Sequence, residues 1–177
     1  MGSYGKYKSY GDIMYTVGIV TASDKASKGE RVDESGKVII DILKNRNGYD
    51  IKEYLIIPDE FEDIKSTLIN MADNLGLNLI LTTGGTGFSP RDITPEATEA
   101  VIKRRVPGIP EAIRYYSLQI TPRAMLSRAT CGIRNKTLIL NMPGSPKAVR
   151  ESLEYVIESL EHGLDILLEK SKECARK

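Results

Sequence analysis

The sequence contains few of the side chains that build metal centres and nucleophilic sites. Its 177 residues include two cysteines and one histidine. Cys131 and Cys174 are far apart and match neither a disulfide framework nor a zinc-binding spacing. We expect Cys131 to be a small core residue, because nothing near it would lower its thiol pKa. The single histidine, His162, excludes a multi-histidine metal centre, and it lies off the apolar stripe of a predicted helix, where we expect it to be exposed rather than catalytic.

The sequence also lacks a charge bias and long apolar runs. Its 25 basic and 24 acidic side chains leave a net charge of +1, so no overall field attracts nucleic acid or an anionic membrane. No stretch approaches the roughly 18 apolar residues that a membrane span needs, and the first residues have no signal-peptide core. We therefore expect a cytoplasmic protein without nucleic-acid or membrane partners, in which any bound anion is held by a local site.

The domain organisation is predicted to be simple. The length fits one domain, and no linker-like stretch divides the chain. We predict a flexible N-terminal extension over residues 1–14, a single domain over residues 15–168 and a charged tail over residues 169–177.

Short β-branched runs alternate with helical periodicity along the chain. Strands are predicted over 17–22, 51–57, 77–83, 129–133 and 137–142, and helices over about 38–46, 61–75, 94–105, from 110 and from 146. This alternation predicts a three-layer α/β/α sandwich with a mostly parallel sheet and an antiparallel strand from the region of Ala129.

Several helix ends and turns have specific signals. Thr94 is a favoured N-cap with Pro95 in the first helical position, and Ser145 can cap a long helix that starts at Pro146. Asn135 suits a positive φ in the turn between the last two strands.

Four polar or glycine-rich loops follow predicted strands. They are residues 23–27, 58–60, 84–87 and 143–146. Ligands bind in open α/β sheets at the carboxyl ends of the strands, so we expect all four loops to lie on one rim and to form the functional site.

The loop of residues 84–87, called the glycine loop below, is predicted to bind an anion. Glycines at 84, 85 and 87 allow unusual backbone conformations and a close approach to the amides, and a helix from Thr94 would add its positive end. The pattern matches neither the dinucleotide nor the P-loop fingerprint. The alternative is a tight turn whose glycines only solve a backbone problem.

Two carboxylates, Asp59 and Asp92, are predicted beside this anion site. Together with phosphate oxygens they can hold Mg²⁺. Spacing alone leaves other roles open. Asp59 can cap the helix before Phe61, and Asp92 can pair with a neighbouring arginine or cap the turn at Thr94.

Polar side chains of the first and last loops are further candidates. Ser23, Asp24 and Ser27 suit an adenine, ribose or pterin edge, although a solvated turn explains them better when the loop is taken in isolation. Ser145 and Lys147 could bind a second anion, or they are a helix cap and a solvated lysine.

Five segments together resemble the molybdenum-cofactor biosynthesis proteins of the molybdopterin adenylyltransferase type, which include the bacterial enzyme and the G domains of gephyrin and of its plant counterpart. The segments are SDKASKGERVDESG (23–36), LIIPDE (55–60), TTGGTGFSPRDITPEAT (82–98), ITPRAMLSRATCGIR (120–134) and NMPGSPKAV (141–149). The resemblance covers about Tyr15 to Leu168.

The resemblance implies a homotrimer, with a hexamer as the alternative, that transfers AMP from ATP to molybdopterin and releases pyrophosphate. It implies Mg²⁺ as cofactor, Asp59 and Asp92 as catalytic and metal-binding carboxylates, and transient contact with other cofactor-biosynthesis enzymes. Arg91 or Lys147 would offset charge, and Ser145 would lie in the pterin site. The loops and the resemblance together predict these substrate-binding residues: Ser23, Asp24, Thr83, Gly84, Gly85, Thr86, Gly87, Arg91, Pro143, Gly144, Ser145 and Lys147.

Three other functions fit parts of the pattern. One is a non-catalytic or weakly active pterin-binding protein of the sister branch of the same fold, but its members often alter the pattern seen here at residues 90–95, Pro-Arg-Asp-Ile-Thr-Pro. Another is a scaffolding protein, and the third is a stand-alone nucleotide pyrophosphohydrolase. Whether the final cofactor carries molybdenum or tungsten is left open, because metal insertion lies downstream.

Overall fold

The computed structural model describes residues 14–170, which form one sheet with helices on both faces. The strands are β1 Tyr15–Ala22, β2 Tyr49–Ile57, β3 Leu79–Thr83, β4 Arg104–Arg105, β5 Cys131–Arg134 and β6 Thr137–Met142. The helices are α1 Asp24–Ser27, α2 Glu34–Lys44, α3 Phe61–Ile69, α4 Thr94–Glu99, α5 Gly108–Leu118 and α6 Pro146–Leu167. A π-helical turn, Asn70–Asn74, extends α3, and a 3₁₀ turn spans Pro122–Leu126.

The sheet has six strands in the order β2-β1-β3-β6-β5-β4. The pairs β1–β2, β1–β3 and β3–β6 are parallel, and β5 pairs antiparallel with both β6 and β4. The prediction of a mostly parallel sheet with an antiparallel strand from the Ala129 region is confirmed.

Two apolar clusters flank the sheet, because alternate strand residues face opposite sides. Val17 and Ile19 of β1 belong to the cluster that includes α2, α5 and α6, whereas Val20 belongs to the cluster that includes α3 and α4. The three-layer prediction is therefore confirmed. Cys131 is buried in the first cluster, and burial raises the pKa of its thiol to about 12, as expected for a core residue.

The prediction for α4 was wrong at both ends. The helix ends at Glu99 rather than near Arg105, because Arg104 and Arg105 pair with β5 as an edge strand. Ladder hydrogen bonds to an open sheet edge outweigh local helix propensity. At the other end, Thr94 is the first helical residue and not the cap, and its N–H donates to the Gly85 carbonyl oxygen at 3.1 Å.

The last turn and the last helix follow the sequence prediction. Asn135 has a φ of 54°, and Ser145 caps α6 by accepting a hydrogen bond from the Ala148 N–H at 3.2 Å. By contrast, the helix predicted over 61–75 is not regular to its end. The π-helical turn changes the periodicity, and Leu75, directly after it, is 46% exposed. Likewise α5 ends before Ile120, which is 46% exposed.

The predicted N-terminal extension falls almost entirely outside the described residues, as does most of the charged tail. Within residues 14–170, no helix has the length and apolar character to cross a membrane.

Candidate functional site

A polar cavity of about 240 Å³ lies at the carboxyl ends of the parallel strands. Each of the four loops predicted to share a rim contributes to its wall. The predicted site residues that line it are Ser23, Asp59, Thr83, Gly84, Gly85, Asp92 and Gly144. The parallel strand order brings these residues together from distant parts of the sequence.

The segment that connects α1 to α2 and the first residues of α2 form another wall of the polar cavity. Arg31, Val32, Asp33, Glu34 and Ser35 line it, and the sequence analysis assigned a site role to none of them. Residues 31–35 belong to the segment 23–36 that resembles the family, and this resemblance is the one sequence signal for them. Arg31 adds a cationic side chain to a wall otherwise rich in carboxylates.

Glycine is required at two positions of the glycine loop. Gly84 has a φ of 93°, and a Cβ there would lie 2.3 Å from the Ala22 carbonyl oxygen. Gly85 has a φ of 64°. Gly87 does not adopt a positive φ, but a Cβ at this position would lie 2.9 Å from Asp92 Oδ2. The tight turn proposed as an alternative is therefore real, and it also exposes Gly84 and Gly85 to the polar cavity.

Asp59 is held by a reciprocal contact with Asp24. Asp59 Oδ2 accepts a hydrogen bond from the Asp24 N–H at 2.8 Å, and the Asp59 N–H donates to Asp24 Oδ1 at 3.2 Å. Glu60, not Asp59, occupies the N-cap position of α3, and no side chain caps this helix, so the helix-cap alternative for Asp59 is wrong. Burial raises the pKa of Asp59, with further contributions from the Asp24 and Asp92 carboxylates.

Asp92 orders the backbone that follows the glycine loop. Its Oδ2 accepts a hydrogen bond from the Ser89 N–H at 2.9 Å. No ion pair among the described residues includes Asp92, so the arginine-pair alternative is not realised there. The Thr94-turn cap is not realised either, since no side chain caps α4. The carboxylate therefore faces the polar cavity without a cationic partner in the described part of the chain.

Arg128 holds the glycine loop from behind, and the sequence analysis assigned it no role. Its Nε donates to the Gly87 carbonyl oxygen at 2.7 Å, and its other nitrogens contact the Asp92 carbonyl oxygen and the Glu96 carboxylate. The loop thus has a fixed conformation despite its glycines.

Arg91 is neutralised by two carboxylates. It donates two hydrogen bonds of 2.9 Å to Asp24 and one of 2.7 Å to Glu60. These bonds raise the pKa of Arg91, and the Arg91 guanidinium lowers the pKa of Asp24. Arg91 and Asp24 lie beside the polar cavity and not in its wall, as part of an ion-pair network that positions the Asp24 backbone against Asp59.

The predicted anion contacts at the last loop are not formed by the side chains expected. Ser145 caps α6, and Lys147 has an 81% exposed side chain whose Nζ lies 3.8 Å from Glu151. Neither residue lines the polar cavity. Instead the loop contributes Gly144, whose carbonyl oxygen accepts a 2.9 Å hydrogen bond from the Ser35 hydroxyl.

Asp33 is a buried carboxylate in the same wall with a different environment. It accepts hydrogen bonds from the Thr21 hydroxyl at 2.5 Å, the Tyr54 hydroxyl at 2.6 Å and the Gly36 N–H at 2.9 Å. Burial and the bond to Asp33 raise the pKa of Tyr54. Asp33 joins β1, β2 and the start of α2.

The carboxylates fit a cation that arrives with phosphate. Within residues 14–170, no three histidine, cysteine or acidic side chains form a cluster that could hold a metal ion alone. Mg²⁺ usually binds through one or two carboxylates and completes its shell with phosphate oxygens and water. Asp59 and Asp92, which both line the polar cavity, supply that number of carboxylate ligands.

A second cavity of about 260 Å³ lies behind the glycine loop and is mainly apolar. Thr86, Gly87, Pro143 and Ala148 line it, together with residues of α5 and of the 3₁₀ turn. Three of the predicted site residues, Thr86, Gly87 and Pro143, thus face this apolar cavity. The glycine loop and the loop of residues 143–146 therefore lie between the polar cavity and the apolar cavity.

The chain is similar to several known proteins. Residues 18–162 match the family model described as "Probable molybdopterin binding domain". A relative named molybdopterin adenylyltransferase, from Helicobacter pylori, is 46% identical over 153 residues, which cover 86% of this chain and 87% of the relative. Gephyrin from Dictyostelium discoideum is 44% identical over 167 residues, or 89% of this chain, but the chain spans only 23% of gephyrin.

A solved structure is also similar. The molybdopterin biosynthesis enzyme MoaB from Thermus thermophilus has a TM-score of 0.84 and 48% sequence identity, over 90% of this chain and 100% of that protein.

Proposed function

The chain belongs to the molybdopterin-binding domain family, and from that premise we propose that it is a molybdopterin adenylyltransferase, which transfers AMP from ATP to molybdopterin and releases pyrophosphate. The product would be adenylated molybdopterin for molybdenum or tungsten cofactor biosynthesis. We propose further that residues 15–168 act as one catalytic domain, and that the protein is a cytoplasmic homotrimer that contacts other enzymes of cofactor biosynthesis transiently.

The observation that carries this proposal is the pairing of two different cavities across the glycine loop. The polar cavity offers backbone amides, Arg31 and two carboxylates, which suit the phosphates of a nucleotide with its cation. The apolar cavity suits a flat heterocycle such as a pterin. A reaction that joins two such substrates needs both cavities, whereas nucleotide hydrolysis needs only the first.

The chemistry fits the side chains that are present. A terminal phosphate of molybdopterin attacks the α-phosphorus of ATP, and the bond to pyrophosphate breaks. This displacement needs alignment and charge neutralisation but no protein nucleophile. The buried Cys131 thiol and the exposed His162 are therefore not required.

Four residues of the polar cavity then have a defined task. Asp59 and Asp92 would hold Mg²⁺, which when bound offsets charge on the phosphates and on the departing pyrophosphate. The amides of Gly84 and Gly85 orient phosphate oxygens. Arg91 and Asp24 act indirectly, since they fix the backbone N–H that holds Asp59.

The test is a coupled assay of the purified protein with ATP and Mg²⁺, run with and without molybdopterin. We expect pyrophosphate release only when molybdopterin is present, in proportion to the adenylated product. Retention of the pterin without pyrophosphate release would instead indicate the non-catalytic sister-branch function. Nucleotide breakdown without molybdopterin would indicate a pyrophosphohydrolase.

The oligomeric state is measured separately. Light scattering coupled to gel filtration should give three times the chain mass of 19.6 kDa. A mass of one or six chains would contradict the trimer without affecting the assignment of the reaction.

A further inference from the structure

A buried hydroxyl next to the polar cavity has no hydrogen-bond partner. The Thr94 side chain is fully buried, and its Oγ1 is one of two buried side-chain atoms in residues 14–170 without a partner, the other being Ser152 Oγ. Buried hydroxyls are nearly always paired, because an unpaired one loses its bonds to water and gains nothing in return. Thr94 therefore requires an explanation.

Helix capping does not supply that explanation. The Ala97 N–H, which a cap at residue 94 would bind, donates instead to the Ile93 carbonyl oxygen at 3.1 Å. The Thr94 N–H is committed to the Gly85 carbonyl oxygen. This bond draws Thr94 against the glycine loop and directs its hydroxyl toward residue 85.

The hydroxyl and a carboxylate oxygen of Asp59 face the same point. A Cβ at Gly85 would lie 2.3 Å from Thr94 Oγ1 and 3.3 Å from Asp59 Oδ1, so both atoms border the space that glycine leaves open. Asp59 accepts the Asp24 N–H with its other oxygen, Oδ2. The Thr94 hydroxyl, a donor without an acceptor, thus lies close to Oδ1 of Asp59, which we propose to be a catalytic carboxylate.

We propose that Thr94 is a positioning residue for Asp59. Its hydroxyl donates to Asp59 Oδ1 when a nucleoside triphosphate with Mg²⁺ enters the polar cavity, and this bond, with the Asp24 N–H on Oδ2, fixes the orientation of the whole carboxylate. The inference rests on the proposed adenylyl transfer. The proposed bond also gives a second reason for glycine at position 85, because any side chain there would lie between Thr94 Oγ1 and Asp59 Oδ1.

The test uses two substitutions that differ in the hydroxyl. Thr94→Val keeps the shape of the side chain and removes the hydroxyl, whereas Thr94→Ser keeps the hydroxyl and removes a buried methyl group. We expect Thr94→Val to lower kcat about tenfold or more, since a hydrogen bond to a charged group is lost. We expect Thr94→Ser to stay within about threefold of wild type, because the donor remains.

Stability should follow the opposite order. Thr94→Val should unfold at the same temperature as wild type or at a higher one, because it removes an unpaired buried hydroxyl. Thr94→Ser should unfold at a lower temperature, because it leaves a small cavity. A purely structural role would make activity follow stability, so an active Val variant together with an impaired Ser variant overturns the proposal.

Binding of ATP in the presence of Mg²⁺ gives a readout that does not depend on turnover. Thr94→Val should weaken binding several-fold in the wild-type background and by less than about twofold in an Asp59→Asn background, because the two residues act as a unit. Equal weakening in both backgrounds would show that Thr94 does not act through Asp59.

Ser152→Ala is the matched control. It removes the other unpaired hydroxyl, on α6 and outside the cavity walls, and should leave kcat and ATP binding unchanged. If wild-type protein itself releases no pyrophosphate, the adenylyltransferase assignment fails. If wild type is active and Thr94→Val is equally active, only the role of Thr94 fails.

Discussion

Two carboxylates in the wall of the polar cavity, Asp33 and Asp59, differ in how well they are hydrogen-bonded. Asp33 is 8% exposed and accepts three hydrogen bonds, which tie β1 and β2 to α2. Asp59 accepts one backbone N–H and lies near two other acidic side chains. A carboxylate whose acceptor sites are filled by the protein stabilises the fold, whereas one with open sites can bind a ligand.

The largest effect should come from the under-bonded carboxylates. Asp59→Asn and Asp92→Asn should each lower the rate of AMP transfer by about 10²–10³-fold, because an amide cannot neutralise or hold a cation as a carboxylate does. Pyrophosphate release with molybdopterin and ATP measures the loss, and circular dichroism checks the fold. Near wild-type turnover by the folded variants would contradict the catalytic role of Asp59 and Asp92, and Asp59 would then not differ from Asp33 in function.

The corresponding change at Asp33 should affect stability. Asp33→Ala leaves the Thr21 and Tyr54 hydroxyls without their acceptor and should lower the free energy of unfolding by about 3 kcal/mol. Urea titration gives the value. A stable Asp33→Ala protein would mean that its three hydrogen bonds contribute little to the fold.

The glycine loop should show an intermediate effect. Gly84→Ala forces a positive φ on alanine and places its Cβ 2.3 Å from the Ala22 carbonyl oxygen, so we expect about 2 kcal/mol of destabilisation or more, together with loss of activity. Gly29→Ala is the control, because Gly29 has a φ of 73° but nothing within 4 Å of its Cβ position. This control should cost about 1 kcal/mol and keep the activity. Equal effects of the two substitutions would contradict the close contact of Gly84 with β1.

The smallest effect should be a change in pH dependence. Burial raises the pKa of Asp59, so the stabilisation from its protonated form is complete below the pKa of the unfolded chain and is lost as the pH rises through the folded value. Asp59→Asn should therefore gain stability over wild type as the pH rises from about 3 to 7.

Substitution of Asp24 should change the pH dependence of stability in the opposite direction. Its pKa is lowered by the hydrogen bonds from Arg91, so its charged form stabilises the fold above the unfolded pKa, and this contribution is lost in acid. Asp24→Asn should therefore lose stability relative to wild type as the pH rises. Thermal midpoints of both variants over the same pH range measure the two trends, and parallel curves would contradict both assignments.

The strands and long helices were predictable because their signals are local. Short β-branched runs identified β1, β3 and β6, and helical spacing identified α6. Single residues identified the Asn135 turn and the Ser145 cap. The failures came from contacts that the local sequence pattern does not contain. Sequence spacing does not show that β5 leaves an open edge for Arg104 and Arg105, or that the Gly85 carbonyl oxygen draws Thr94 into the helix.

Within the candidate site, the residues that could bind a ligand were easier to predict than the residues that hydrogen-bond to them. The glycine loop and the two carboxylates were recognisable from residue type and from their place after strands. Spacing does not show that Arg91 is occupied by Asp24 and Glu60, or that Arg128 braces the loop from a distant part of the chain. These contacts join residues far apart in sequence.

The sequence by itself determined the fold class, the family and the set of loops that meet at the polar cavity, because apolar periodicity, glycine placement and motif order are properties of neighbouring residues. The tertiary structure decided which carboxylate has its acceptor sites filled by protein donors and which has acceptor sites left for a ligand. Asp33 and Asp59 are the same residue type, and only the donors that the folded chain places around each one separate a structural role from the proposed catalytic role.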